Sequence, residues 1–382
     1  MGPLTVFFSA GEASGDLHAA ALAAAIQRRR PDAALCGMGG PHMAKAGVEL
    51  LIGIGESSVV GLTEVVRQIP EFLAKLRRMR RWIRRRRPDV VVLVDFPDFN
   101  IRLGRTAHRL GVPVVCYIPP KAWAWRPRRG RTVARIADVV VSILPFEAEF
   151  YREQGARVTY VGHPLVDIVR EARPLSRDEA RARLQLPGDA PVLGLLPGSR
   201  SREVSLLLGP MLEAAARVRE ALPDLQTVLP RAPTVTPEAL AEAAGGGDLC
   251  SVRVVAGDTY NAIRACDALI AASGTVTLEA AILGVPMQVV YKLSPLTFAL
   301  AKRLVRVPFS ALPNLLAGRE IVPEHLQERA APQQLAETAL RLLTDAAARQ
   351  AQQRDLERVR HLLGDGGAVE KAADAVLRAA RT

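Results

Sequence analysis

Val90-Val91-Val92-Leu93-Val94 places five apolar residues in a row between Asp89 and Asp95, with no polar residue among them to face water. A strand of that kind is buried on both faces, as in parallel sheets covered by helices. The pattern recurs. Short apolar runs at residues 4–9, 89–95, 113–118, 138–143 and 158–161 alternate with helical patterns at 16–29, 61–87, 101–110 and 146–154. Strands separated by helices predict βαβ units and a parallel sheet. The pattern then restarts, with strands at 191–196, 225–229, 251–255, 268–271 and 286–291 and helices at 202–221 and 275–283. At 382 residues the chain exceeds what one hydrophobic core usually serves. Two doubly wound α/β domains are expected, over residues 1–168 and 175–345, followed by a helical tail at 346–382. Gly162-His163-Pro164 and the polar stretch 170–189 read as the linker. Folds of this class bind ligands outside the carboxyl ends of their strands, so a cleft between the two domains is the expected site.

The balance of 51 basic against 39 acidic residues gives a net charge of +12. Such a charge favours nucleic acid, anionic lipid or phosphorylated substrates as partners. Cys36, Cys116, Cys250 and Cys266 are dispersed, without the close spacing of a zinc or redox motif, and read as small buried hydrophobes in a reducing compartment. No apolar run reaches the ~18–20 residues that span a bilayer, so a cytoplasmic protein with at most peripheral membrane contact is expected. A dense run of positive charge lies within 61–87. There Val65, Val66, Ile69, Phe72, Leu73, Leu76, Met79 and Ile83 recur at helical spacing, while Lys75, Arg77, Arg78, Arg80, Arg81, Arg84, Arg85, Arg86 and Arg87 fill the other faces. This is the pattern of a basic amphipathic helix suited to anionic lipid, with Phe72, Leu76, Arg77, Arg80, Arg81, Trp82, Arg84 and Arg85 as candidate contacts. A helix packed on the sheet with a solvated arginine face explains the same pattern, and both readings can hold together. A second mixed apolar and basic stretch at 293–308 carries Phe298, Leu300, Lys302, Arg303 and Arg306.

Polar residues gather where the predicted strands end. Ser9-Ala10-Gly11-Glu12-Ala13-Ser14-Gly15-Asp16 follows the first strand; its glycines allow close backbone approach, but Glu12 and Asp16 repel phosphate, so an acceptor hydroxyl suits it better. Asp95-Phe96-Pro97-Asp98-Phe99-Asn100 sets two carboxylates and an amide at a strand end. A carboxylate there can serve as general base on a hydroxyl. Asp95 and Asp98 are both candidates, Asp98 also being well placed to cap the next helix. In the second half, Gly198-Ser199-Arg200 and Ser273-Gly274-Thr275 each end a strand and begin a helix, offering hydroxyl, guanidinium and free N–H donors to a diphosphate. Glu279, one helical turn past Thr275, could accept both hydroxyls of a ribose. No Asp-x-Asp or His-Glu-x-x-His motif occurs and the six histidines are scattered, so neither a metal nor another cofactor is implied. A departing diphosphate would then be stabilised by Arg200 and the helix start. Trp123-Ala124-Trp125-Arg126, after a further strand, could stack on a sugar or pack as a lid.

Taken together these stretches resemble the lipid A disaccharide synthase family. The similarity rests on 11–16, Gly61-Leu62-Thr63-Glu64-Val65, Pro97-Asp98-Phe99-Asn100, Trp123-Ala124-Trp125-Arg126, Pro145-Phe146-Glu147, 161–164, 196–200, 273–279, Lys302-Arg303-Leu304 and 312–320. The resemblance implies a GT-B glycosyltransferase: two Rossmann-like domains, the final helix crossing back to the first. It implies transfer of 2,3-diacylglucosamine from UDP to 2,3-diacylglucosamine 1-phosphate (lipid X), giving a β-1,6-linked disaccharide 1-phosphate with inversion and release of UDP. By that likeness Asp95 is the base, Glu12 helps shape the site, and Ser199, Arg200, Ser273, Gly274, Thr275, Glu279 and Asn314 hold UDP, with Arg319 and Glu320 nearby. An anionic membrane surface, the inner face of the inner membrane, is the implied location, and a homodimer is compatible with it. Pro119-Pro120-Lys121 departs from the family's usual Ser-Pro and small or polar residue, leaving open whether Lys121 touches the acceptor phosphate. The rivals are a transferase acting on a lipid-linked muropeptide, expected to open with a Gly-Gly-Thr-Gly-Gly-His type of turn, and a UDP-N-acetylglucosamine 2-epimerase, which needs no membrane. A nucleic-acid binder explains the charge but not the strand-end carboxylates, so no nucleic acid partner is expected.

Overall fold

The computed structural model describes residues 3–54, 62–125, 127–294, 298 and 307–380. Two compact units emerge, one formed by Met1–Pro164 with Leu363–Thr382 and the other by Leu165–Leu362.

The first unit is built on seven parallel strands: β1 (Thr5–Ala10), β2 (Ala34–Gly39), β3 (Glu49–Gly53), β4 (Val90–Val94), β5 (Val114–Tyr117), β6 (Val139–Ser142) and β7 (Val158–Tyr160). Their order across the sheet is β3-β2-β1-β4-β5-β6-β7. All five residues of β4 are buried, as the uninterrupted apolar run requires. One sheet face is covered by the helices Leu62–Arg86 and Pro97–Arg109: Leu76, Met79, Ile83, Phe99, Leu103 and Ala107 share one core cluster with Phe7, Val91 and Leu93. The helices Ala13–Arg29 and Ala368–Ala379 pack together, and the latter also lies against β4, β5 and β6.

The second unit carries β8 (Val192–Leu196), β9 (Gln226–Arg231), β10 (Val252–Ala256), β11 (Ala268–Ala272), β12 (Met287–Tyr291) and β13 (Glu324–Leu326). They too are parallel, in the order β10-β9-β8-β11-β12-β13. The helices Ser201–Ala221 and Pro332–Thr344 close its main core against β8 and β11.

Three strands were not expected from sequence: β2, β3 and β13. β2 reads ALCGMG, with two glycines and no β-branched residue, yet five of its six positions are buried. Gly37 is what lets it lie so near β1, since a Cβ there would stand 2.0 Å from the Phe8 carbonyl oxygen. The stretch expected as a linker is also more ordered than a loop. The helices Pro164–Glu171 and Arg177–Arg183 occupy part of it, the second opened by a capping box between Ser176 and Glu179. Arg181 is buried there, donating to the carbonyls of Ala265 (3.0 Å) and Ala190 (2.9 Å) and pairing with Asp267 (2.6 Å). That belt belongs to the body of the second unit. The helical tail divides: Ala346–Leu362 packs on the helices Val276–Ile282 and Leu312–Ala317, while Ala368–Ala379 joins the first unit. Cys36, Cys116 and Cys266 are buried and Cys250 is exposed. Among the described residues no helix is long and apolar enough to cross a membrane.

Candidate active site

In the first sheet the chain winds outward in both directions from β1 and β4. Such a switch point opens a crevice at the carboxyl strand ends. The residues that emerge there are Gly11 and Glu12 after β1 and Asp95 and Phe96 after β4. Asp95 and Phe96 both adopt left-handed backbone conformations, φ 45° and 48°, which non-glycine residues avoid unless their surroundings enforce it. Asn100 does the enforcing. Its amide donates to the carbonyls of Ser9 (3.1 Å), Val94 (3.1 Å) and Asp95 (2.7 Å) and its oxygen accepts from the Ser9 hydroxyl at 2.7 Å. The Phe96 ring leaves no room at position 11, where a Cβ would meet it at 2.2 Å, so Gly11 is a packing requirement. Asp95 is thus held at the sheet edge, partly buried. Burial pushes its carboxyl above the ordinary range, while the Lys121 ammonium and the Phe96 N–H pull it back. Glu12 is exposed. Asp16 is buried and structural, accepting from the N–H groups of Gly40 (2.7 Å) and Met43 (3.1 Å).

Asp98 lies in the first turn of the helix Pro97–Arg109 without capping it, and pairs with Arg129; its side chain is 69% exposed. The adjacent strand ends were only half legible in sequence. Lys121 is exposed in the turn after β5, and Tyr151 anchors that turn by donating to the Pro120 carbonyl at 2.6 Å. Behind it Glu147 is buried, accepting from the Trp123 indole N–H (3.2 Å) and the Ser142 hydroxyl (2.9 Å). Burial pushes its carboxyl up to about 7, against the pull of those two donors. Trp123 packs edge-on against Phe146 at 4.8 Å, so its ring is part of a fixed wall.

The second unit repeats the arrangement. Its sheet switches direction at β8 and β11, and their ends carry the turns 197–200 and 273–275. Gly198 has φ +114°, and a Cβ there would also strike the Glu203 carboxylate at 2.7 Å. Arg200 precedes the helix Ser201–Ala221, three-quarters exposed (75%) and pairing with Glu203 at 2.8 Å. Ser199 is exposed, as are Gly274 and Thr275. The Ser273 hydroxyl donates to the Ser310 carbonyl at 2.9 Å. Glu279 is partly buried one turn into the next helix, and burial raises its carboxyl. Tyr260, which sequence reasoning passed over, is raised to about 12 by burial and by the Glu279 charge, which puts the two on one another's electrostatic horizon.

Asn314 is corrected. It is fully buried, its amide donating to the Val322 carbonyl and Glu324, both at 2.8 Å, and its oxygen accepting from the N–H groups of Ile321 (2.7 Å) and Val322 (2.9 Å). Both donors and both acceptor positions are used, which leaves none for UDP. Arg319 and Glu320 are exposed; Arg319 pairs with Asp355 on the helix Ala346–Leu362, and Glu320 accepts from the Glu324 N–H at 3.2 Å.

The basic helix Leu62–Arg86 sorts its candidates. Leu76 is 2% exposed in the sheet-facing core, so it cannot meet lipid. Phe72 packs on Phe96 and Phe99, and Trp82 on Phe7. Arg80 is half-buried and donates to the Arg102 carbonyl at 3.0 Å. Leu76 is thus corrected to a packing residue, while Phe72, Arg80 and Trp82 pack inward and stay partly exposed. Arg77, Arg81, Arg84 and Arg85 are exposed. Gly61, Arg126, Leu300, Lys302, Arg303, Leu304 and Arg306 lie outside the described residues.

Comparison with known proteins bears on the whole chain. The profile of the family described as Lipid-A-disaccharide synthetase matches residues 6–379. The lipid-A-disaccharide synthase of Trichlorobacter lovleyi is 43% identical over 375 residues, covering 98% of this chain and 97% of its own. That of Myxococcus xanthus is 44% identical with the same coverage. Among solved structures, the glycosyltransferase of kitacinnamycin superposes with TM-score 0.65 at 17% identity, covering 99% of this chain and 100% of its own. A putative UDP-N-acetylglucosamine 2-epimerase from Listeria monocytogenes superposes with TM-score 0.64 at 16% identity, over 99% and 95%. These two likenesses speak for the GT-B fold alone.

Proposed function

The chain belongs to the lipid-A-disaccharide synthase family, and from that premise we propose how its own residues divide the work. It is a glycosyltransferase that joins UDP-2,3-diacylglucosamine and 2,3-diacylglucosamine 1-phosphate into the lipid A disaccharide 1-phosphate and releases UDP. Family membership disfavours the epimerase and muropeptide-transferase readings.

In our reading Asp95 takes the proton of the acceptor 6-hydroxyl as that oxygen attacks the anomeric carbon opposite the departing UDP. Attack from that face gives inversion. A base is most effective when its pKa lies near the working pH, and partial burial moves Asp95 in that direction. Glu12, across the switch point, bounds the acceptor's sugar. The charge that develops on UDP is met by the Arg200 guanidinium, the Ser199 and Thr275 hydroxyls and the N–H groups at Gly198 and Gly274, while Ser273 contacts the nucleoside part. Glu279 takes the ribose hydroxyls. Arg319 and Glu320 border the same site. The exposed Arg77, Arg81, Arg84 and Arg85 meet the anionic inner face of the inner membrane, where both acylated substrates reside.

The observation that carries this reading is the coincidence of both topological switch points with the polar turns: a held carboxylate in one sheet, hydroxyl and cation donors in the other. Radiolabelled transfer from UDP-2,3-diacylglucosamine to lipid X, with wild type and Asp95→Asn, tests it. Product from wild type alone, with UDP affinity in the variant within about twofold, is expected. Product from both would move the base, Asp98 being next in line.

A further inference from the structure

The stretch 312–320, one of those that carry the family resemblance, turns its Asn314 amide inward, and the residue it turns to, Glu324, had no role in the sequence reading. Glu324 opens β13, an edge strand that pairs Val289 of β12. Its side chain is buried. One carboxylate oxygen accepts from the Ser310 N–H at 2.8 Å and the Ser310 hydroxyl at 2.6 Å; the other accepts from the Ala311 N–H at 3.0 Å and the Asn314 amide at 2.8 Å. Four donors converge on two oxygens, an arrangement only a carboxylate satisfies at both ends. The seat connects to the turn 273–275 through Ser310. Ser310, held by both its N–H and its hydroxyl, presents its carbonyl to the Ser273 hydroxyl at 2.9 Å. Ser273 itself hangs from the sheet through its N–H to the Val290 carbonyl at 3.1 Å.

We propose that Glu324 is a positioning residue of the UDP site, acting through Ser310 to fix the direction in which Ser273 offers its hydroxyl oxygen to the nucleotide. The hydroxyl has one proton and two lone pairs. With its proton committed to Ser310, Ser273 faces the ligand as an acceptor, for a ribose hydroxyl or a uracil N–H, and not as a donor to phosphate. The inference deepens the assignment of Ser273 to UDP and rests on it.

A double-mutant cycle on full-length protein, read by calorimetric titration with UDP, tests both separately. Ser273→Ala and Glu324→Gln are each expected to weaken UDP about tenfold, the scale of a hydrogen bond on which a charged group depends. The amide that Gln introduces faces donors with a donor, so the seat is lost without a change of size. Because Glu324 acts through Ser273, the double variant should bind no more weakly than the weaker single. The KM for the UDP-sugar should rise while that for the acceptor holds, a split that general destabilisation would not produce. Additive losses of about a hundredfold, or unchanged affinity in Glu324→Gln, would overturn the inference while sparing the site. Unchanged affinity in Ser273→Ala would overturn the assignment of Ser273 to UDP and the inference with it. Should Glu324→Gln fail to fold, Ser310→Ala removes one donor from the same seat, and its severalfold loss must likewise vanish in the Ser273→Ala background.

Discussion

Asp95, the base we propose, sits in a left-handed backbone conformation that four hydrogen bonds of one side chain, Asn100, sustain. Its carboxyl is drawn two ways, up by burial and down by Lys121. Lys121→Met leaves burial opposed only by the Phe96 N–H, so the acid limb of kcat/KM should move to higher pH, since a base must be deprotonated to act. A pH profile that does not move would remove Lys121 from the electrostatics of the base. Glu147 gives a stability counterpart. Its folded carboxyl titrates near 7 against an ordinary 4.5, so between those values the folded protein holds a proton that the unfolded chain has released. Stability therefore falls as pH rises through that window, by roughly 3 kcal/mol in total. Glu147→Gln cannot titrate, and urea unfolding should show its stability gaining on wild type from pH 4.5 to pH 8. The placement of Asp95 at a strand end was legible because an apolar run ends there abruptly. The engagement of Asn314 with its own loop was not, because an amide that binds UDP and one that binds Glu324 read the same in sequence.

Helix Leu62–Arg86 shows how far periodicity alone carries an element. Its apolar positions identified a face, but a face that packs on a sheet and one that enters lipid share a spacing of 3.6 residues. Burial separates them: Leu76, Met79 and Ile83 are in the core, and Arg77, Arg81, Arg84 and Arg85 are outside. Replacing those four arginines with serine should weaken co-sedimentation with anionic vesicles by two to three orders of magnitude, at about 1 kcal/mol per charge. The fold should survive, as exposed substitutions of this kind cost little. Leu76→Ala should do the reverse, costing about 2–5 kcal/mol of stability while the folded fraction binds vesicles as before. Retained vesicle binding without the arginines would move the contact to another element. Among strands the same logic sets what sequence reveals. β4 and β8 announce themselves by continuous apolar residues, whereas β2 is recognisable only from the space around Gly37, and β13 has three residues, two of them polar.

At the scale of the molecule the chain's order and its domains do not coincide, because the first unit is completed by the last helix in sequence. Restarting strand–helix patterns made two halves evident, but nothing in the composition of 346–382 distinguishes the helix that stays with the second unit from the one that joins the first. What distinguishes them is contact. Leu363, Ala368, Ala372, Ala373 and Val376 are buried, and Glu370 takes Arg28 and Arg29 of the helix Ala13–Arg29. The ion pairs are half-exposed and contribute little. Burial of the five apolar side chains is on the order of 5 kcal/mol, comparable to the whole stability of a domain. Truncation after Leu362 should therefore unfold or severely loosen the first unit, which limited proteolysis within 3–164 would register as rapid cleavage. Transfer activity should disappear with Asp95's setting. The turns 197–200 and 273–275, Glu279 and the Glu324 seat all lie in Leu165–Leu362, so UDP titration of the same truncated protein should give an affinity within about twofold of wild type. A truncated protein that resists proteolysis would show that the last helix is dispensable to the first sheet. One that loses UDP along with its first unit would place part of the nucleotide's binding energy outside the second unit, and the division of labour between the two sheets would have to be redrawn.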